Sequence, residues 1–521
     1  MGLRLKPGAI VGFLNKDIFY VDVKLVSLDR VLTNLYIKMY AHGAPINMMY
    51  RDEYTIDRLK QNILALENRE QIKGAAENID GVDDWLRSSL LELVNRGNVV
   101  KEHVSTLKPL HLLSFRVLNK KFCRDYRAAD QLYLMLHANP EVMNGLEKYL
   151  SKGWDRSTNG IVDNEDLDID TAGILYLTKD LKEIRGINRE TINIPQPFLT
   201  KQAELFNEDI KRLLIYKDKL PRSVFIDYLR ILCGFHLSLY IMKLIYLLPK
   251  MVETGSRDVN DDWSMVVDMT DDLDSVVSQY ACKDVEKMEN SYWRYIRSTY
   301  MIDLVQKRHS LNGYCSVEEA MELIKEGTEK EHEYYNMELL QIRNNLEPES
   351  DRDFDQNDFK ELLQYFPEKD YLGMLVHIME NSNLGSYQYR YLKEFIDSVS
   401  MKNSPSMLLA DSRSKRHPRR GVIGSKLLET LVQLLVLKEK EDGSYESCSL
   451  SIDDLATAIR QRYGLIINGA DEPRFADMDV ETNAAFSKNM EALKNKLRQI
   501  GFYTDMSDAC ILQKIRPRYK L

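Results

Sequence analysis

In the stretch YLRILCGFHLSL, two residues have the types and spacing to act on a phosphodiester. Arg230 precedes His236 by six positions. A guanidinium is a fixed cation that can hold a phosphate, and an imidazole can move a proton near neutral pH. Together they would suit cleavage of a nucleic-acid strand. The residues between them, ILCGF, are apolar. The same histidine therefore also fits a core position, hydrogen-bonded and inert.

A second set of candidates is electrostatic. Residues 411–420 read DSRSKRHPRR and hold Arg413, Lys415, Arg416, Arg419 and Arg420 within eight positions. Further on come Lys488, Lys494, Lys496, Arg498, Lys514, Arg516, Arg518 and Lys520, opposed from residue 484 onward only by Glu491, Asp505 and Asp508. Mobile cations on a solvent-facing surface neutralise phosphates and release counterions. Yet the whole chain carries a formal net charge of -9, and its isoelectric point is near 5.7. Any nucleic-acid contact must then be local. The plainer alternatives are a solvated loop for the run and simple helix-dipole compensation for the later cations.

Other chemistry finds little support. Asp261, Asp262, Asp268, Asp271, Asp272 and Asp274 cluster around WSMVVDMTDD. Carboxylates at a strand end can bind magnesium, but no partner histidine stands near, and an acidic linker is the simpler reading. The sequence has no GxxxxGK[ST] loop, no GxGxxG after a strand, no GxSxG, no HExxH and no kinase set. An autonomous ATPase is excluded, and no metal or cofactor is expected. The six cysteines are scattered, without a CxxC pair or a disulfide framework. The N-terminal MGLRLKPGAIVGFLNKDIF lacks a signal-peptide core, and Lys6 breaks the myristoylation pattern. These features point to a reduced, cytoplasmic setting.

The elements that must position these residues are mostly helical. Apolar residues recur at threes and fours in residues 59–67, 82–96, 128–137 and 140–150. Asn139-Pro140 marks a helix start, and Ser316 with Glu319 forms a capping box. The helix after Ser316 is expected to run to about residue 345. Residues 221–249 form a long helix bracketed by prolines. Within it, residues 231–248 have bilayer-spanning length, but His236 and Lys243 favour a core helix over a membrane span. Residues 18–25 alternate as a strand would, and 174–177 and 265–267 are lesser strand candidates. Residues 153–171, 255–274 and 347–357 read as linkers. The expected division is 1–155, a helical domain; 156–350, a central helical region; 351–403, a connector; and 404–521, a basic arm with a terminal domain.

That terminal domain has an ordered series of elements. An apolar helix over 425–438 is followed by a short alternating segment at 448–452. A helix capped by Ser451 covers 453–463 and stops at Gly464. A third helix, 481–500, carries Phe486, Met490, Leu493, Leu497 and Ile500 on one face. Residues 502–515 read as a hairpin. This order resembles the winged helix, which implies a third helix able to enter a DNA groove and a wing on the backbone. Winged helices also dock proteins, so that reading stays open. The fold class is mainly α: a multi-domain helical body with a C-terminal winged-helix (α+β) domain.

The Arg230–His236 spacing resembles that of HEPN ribonucleases, although Ile231 replaces the polar residue usual after the arginine. The stretches PRSVFIDYLRILCGFHLSLYIMKLIYLLPKMV and MEALKNKLRQIGFYTDMSDACILQKIRPRY resemble the helical, non-ATPase subunits of multi-gene bacterial anti-phage defence systems. That resemblance implies an accessory scaffold that contacts nucleic acid, DNA foremost, and other subunits such as an ATPase or a nuclease, with no membrane role. The competing expectations are a nuclease using Arg230 and His236, and a pure protein–protein adaptor.

Overall fold

The computed structural model describes residues 15–44, 53–95, 102–162, 167–179, 181, 194–270, 272–344, 370–411, 418–470, 472–503 and 514–521. The chain is mainly helical there, with five two-stranded sheets among the described residues.

The central helix, Arg222–Thr254, organises the molecule. It is buried without interruption from Ile231 to Met242, as a helix that is apolar all round must be. Helices Leu28–Tyr40, Thr200–Ile215, Tyr292–His309, Val317–Glu326, Asn383–Ser400 and Ser425–Leu435 pack around it. By length and composition it could cross a membrane, but 89% of its apolar window is buried inside the protein. Lys243, the awkward interior cation, meets Asp261 at 2.9 Å. The helix does not stop at Pro249. It continues to Thr254 and ends at Gly255, whose φ of 69° suits a residue without Cβ.

Several local signals act as expected. Asn139 accepts from the Val142 N–H at the start of helix Pro140–Leu150. Ser316 with Glu319 and Ser451 with Asp454 form reciprocal capping boxes. Gly464 ends helix Ile452–Tyr463 at φ 78°.

Other expectations fail for identifiable reasons. Residues 18–25 keep an in–out alternation but form no strand. They lie among helices, so their backbone donors turn elsewhere: Tyr20 N–H to the Gln131 side chain and Asp22 N–H to the Tyr126 carbonyl. Residues 174–177 belong to helix Ile169–Lys179. The helix expected over 82–96 gives way to strand Leu91–Asn95, paired with Glu102–Leu107. The helix after Ser316 breaks at Gly327, and a second, His332–Asn344, follows. Met265–Val266 is a strand, and its partner is Leu465–Ile466, in parallel. The middle of the supposed linker 255–274 therefore lies in the interior, with Trp263, Met265, Val266, Val267 and Met269 buried. The expected linker 347–357 lies outside the described residues.

One core cluster contains residues from Ile18 to Ile515. Buried residues on both sides of the expected boundaries near 155 and 404 belong to this cluster. The C-terminal elements run helix Ser425–Leu435, hairpin Leu437–Glu439 with Tyr445–Ser447, helix Ile452–Tyr463, strand Leu465–Ile466 and helix Val480–Gln499. A bridge joins Leu450 to Ile515. The hairpin found here thus precedes the second helix. Most of the one expected at 502–515 lies outside the described residues.

Gly234 lets Ser406 and Leu28 pack closely against the central helix. A Cβ there would collide with Ser406 Oγ and come within 2.7 Å of Leu28 Cδ1. Gly234→Ala is expected to destabilise the fold by about 1–3 kcal/mol through overpacking, read as a lower urea midpoint at unchanged slope.

Candidate functional site

Arg230 and His236 diverge. Six residues along an α-helix turn through about 600°, which leaves the two side chains on different faces. Arg230 bonds to Asp29 at 3.0 Å and to Asp227 at 2.6 Å near the surface. His236 is fully buried. The geometry needed for strand cleavage is not assembled, because each residue is committed to its own carboxylate.

His236 belongs instead to a buried polar network. Its Nε2 donates to Asp209 Oδ2 at 3.0 Å, and its Nδ1 accepts from Gln202 Nε2 at 3.0 Å. That pattern assigns the neutral Nε2–H tautomer. Tyr463 donates to Asp209 Oδ2 at 2.9 Å. Arg462 donates to Oδ1 through Nη2 at 2.6 Å and Nε at 3.1 Å. Burial alone would raise the Asp209 pKa, but the hydrogen bond from His236 and the bonds and charge of Arg462 outweigh it and hold the carboxyl below its ordinary value. For His236, burial wins over the Asp209 bond and lowers the pKa. The network is therefore an aspartate–arginine ion pair supported by neutral histidine and tyrosine.

A second buried clamp is Asn489, on helix Val480–Gln499. Its side chain donates to the carbonyls of Val267 (3.0 Å) and Ile467 (2.8 Å) and accepts from the Met269 N–H (2.7 Å). Both clamps escaped sequence reasoning. A signal existed: Asn489 is a polar residue set within the stripe of Phe486 and Leu493, and Asp209 flanks the Phe206–Ile210–Leu213 face.

The candidate cations fall into three groups. Arg413, Lys415 and Arg416 lie outside the described residues. Arg419 and Arg420 are tied inward, with side-chain exposures of 14% and 12%. Arg419 makes a two-point pair with Asp397 at 2.7 and 2.9 Å and reaches Glu289 at 3.2 Å. Arg420 bonds to the fully buried Asp268 at 2.9 Å. These two are not the mobile phosphate ligands that the run suggested, since carboxylates distant in sequence claim them.

Along helix Val480–Gln499, Lys488 is exposed, and Lys496 is half-buried. Lys494 and Arg498 lie over the Tyr503 ring, 5.6 and 5.5 Å from its centroid. Arg518 bonds to Glu429 and the Ile500 carbonyl. Lys514, Arg516 and Lys520 are exposed.

Three of the six acids of the cluster are likewise spent on pairing. Asp261 meets Lys243, Asp262 meets Lys250 at 2.9 Å, and Asp268 meets Arg420. Asp271 lies outside the described residues. Among the described residues, no group of three or more histidine, cysteine or acidic side chains could hold a metal ion.

Residues 11–519 match the family model described as methylation-associated defense system protein MAD7. The chain belongs to this family. The resemblance to defence-system proteins thus holds at the level of the system. No curated protein matches the chain. For the family's fold, the match means that one model spans the central helix, both buried clamps and the C-terminal elements together.

Two outcomes test the network. Asp209→Ala removes the acceptor shared by His236, Tyr463 and Arg462, leaves Arg462 only the exposed Glu208 at 2.8 Å, and should cost about 3–5 kcal/mol, the usual range for breaking a buried pair, measured by denaturant unfolding. An unfolded histidine takes up a proton near pH 6.5, whereas folded His236 resists it. Its contribution is complete above about pH 6.5 and is lost as pH falls, at no more than about 1.4 kcal/mol per unit. His236→Gln should flatten that part of the stability–pH curve.

Proposed function

We propose that this chain is a non-enzymatic scaffold of a methylation-associated defence system, acting in the cytoplasm and touching nucleic acid through its C-terminal basic surface. The observation that carries the reading is the division of labour among the C-terminal cations. Arg419, Arg420 and Arg518 hold the architecture together. Lys488, Lys514 and Arg516 are exposed and make no ion pair among the described residues. Exposed, unpaired cations keep their freedom to neutralise phosphates.

The scaffold half of the proposal draws on the two buried clamps, which join the C-terminal elements to the central body. A rigid body carrying a basic face suits a subunit that holds nucleic acid for partner proteins, such as an ATPase or nuclease of the same system. The winged-helix resemblance adds helix Val480–Gln499 as the element offered to the groove or backbone. Its outer positions Asn483, Ser487, Lys488, Asn495 and Gln499 are polar and exposed.

Fluorescence anisotropy with labelled duplex DNA, titrated across salt, tests this. Affinity should fall steeply with salt. The triple change Lys488→Ala, Lys514→Ala and Arg516→Ala should reduce the log–log slope by roughly 2–3. Absence of binding at low salt would favour a pure protein–protein adaptor instead.

A further inference from the structure

The loop that precedes helix Ala128–His137 reads NKKFCRDYR, residues 119–127. Its side chains sort inward and outward. Asn119, Phe122 and Cys123 are buried, while Lys120, Lys121, Arg124 and Arg127 are exposed. The buried members pin the backbone. Asn119 donates to the carbonyls of Tyr54 (2.8 Å) and Val104 (2.7 Å). Ser105 donates to the Phe122 carbonyl at 3.1 Å, and the Asp22 N–H donates to the Tyr126 carbonyl at 2.8 Å. Tyr126 and Arg127 hold φ of 49° and 65°. Such left-handed conformations cost a non-glycine residue free energy and collect at ligand sites. The four cations thus stand on a fixed backbone.

Among the described residues, none of these four cations makes an ion pair. The acids beside them are committed elsewhere. Asp125 turns to the helix start, where it accepts from the Ala129 N–H at 3.0 Å. Asp22 pairs with Lys24, Asp130 with Lys38 and Glu53 with His103. The unspent charge of the loop is therefore positive. Aromatic rings continue the surface. Lys24 lies 5.3 Å from the centroid of Tyr126 and 5.1 Å from that of Tyr391. Tyr391 stacks on Tyr387 with centroids 6.2 Å apart, and Tyr387 is 43% exposed. Arg390 lies over both rings but is paired with Glu394, so this end offers ring faces more than charge.

We propose that loop 119–127 and the rings of Tyr126, Tyr391 and Tyr387 form a second nucleic-acid surface, one that takes a single strand. The cations follow its phosphates, and its unpaired bases stack on the tyrosine faces. A duplex keeps its base faces covered and would use the cations alone. An acidic protein would do the same, which leaves the rings without a role. The surface shares no residue with the C-terminal cations, so it stands independently of the reading above.

Fluorescence anisotropy on the full chain, across a salt series, tests the proposal with three labelled probes: oligo(dT), a duplex of equal length and polyglutamate. The triple change Lys120→Ala, Lys121→Ala and Arg124→Ala alters only exposed side chains. It should weaken oligo(dT) binding and reduce the log–log salt slope by roughly 2. The charge-keeping triple Lys120→Arg, Lys121→Arg and Arg124→Lys should bind as wild type does. Tyr387→Ala should weaken oligo(dT) binding about tenfold at an unchanged slope, and Tyr387→Phe should restore it. Circular dichroism melts check each fold. Equal affinity in wild type and the alanine triple, no oligo(dT) binding at low salt, or indifference to Tyr387→Ala overturns the proposal. A loss of duplex or polyglutamate affinity in the alanine triple that matches the loss for oligo(dT) also overturns it, in favour of a duplex or an acidic protein. Oligo(dT) binding lost on changing Lys488, Lys514 and Arg516 to alanine but kept in the loop triple overturns this surface and spares the C-terminal reading. The converse supports this surface and removes the C-terminal one.

Discussion

The structure depends on one buried carboxylate. Asp209 has no solvent contact, and it sits between three helices: its own, Thr200–Ile215; the central helix, through His236; and Ile452–Tyr463, through Arg462 and Tyr463. An isolated carboxylate at such a place would be costly. It is stable as an anion because three side chains donate to it, one of them charged. Those bonds exist only when the three helices are in a single register. Residues separated by more than 250 positions therefore specify one arrangement of the body.

Asn489 extends the same logic to the sheet. It satisfies backbone groups of Val267, Met269 and Ile467, beside the parallel pairing of Met265–Val266 with Leu465–Ile466. Arg420 on Asp268 and Arg474 on Asp284 add links between the same two parts of the chain. The C-terminal elements are thereby built into the central body rather than appended to it. This matches a family model that runs across nearly the whole chain.

The charges sort by the same rule. Among the described residues, Arg230, Arg419, Arg420 and Arg518 are bound by acids far away in sequence, and they serve the architecture. His236 serves it too, as a neutral hydrogen-bond link. What is left over for a ligand among the described residues is a small set of exposed lysines and Arg516 in the C-terminal stretches, together with loop 119–127. The acidic net charge of the chain is compatible with a local basic surface because the charges are unevenly distributed along it, with eight cations against three acids from residue 484 onward.

The sequence by itself determined the local features. Caps at Asn139, Ser316 and Ser451, the stop at Gly464, the all-apolar central helix and the stripe of Phe486, Leu493 and Leu497 were all legible, because each depends on residues within a turn or two. Membership of a defence system was legible in the general character of two stretches. Only the tertiary structure decided the rest. Residues 18–25 had a strand's alternation but found helices as neighbours, and 174–177 took the helical conformation of their surroundings. Arg419 and Arg420 read as free cations until folding brought Asp397, Glu289 and Asp268 to them. A side chain's partner is chosen by long-range packing, and no local period in the sequence encodes which carboxylate will lie beside which guanidinium.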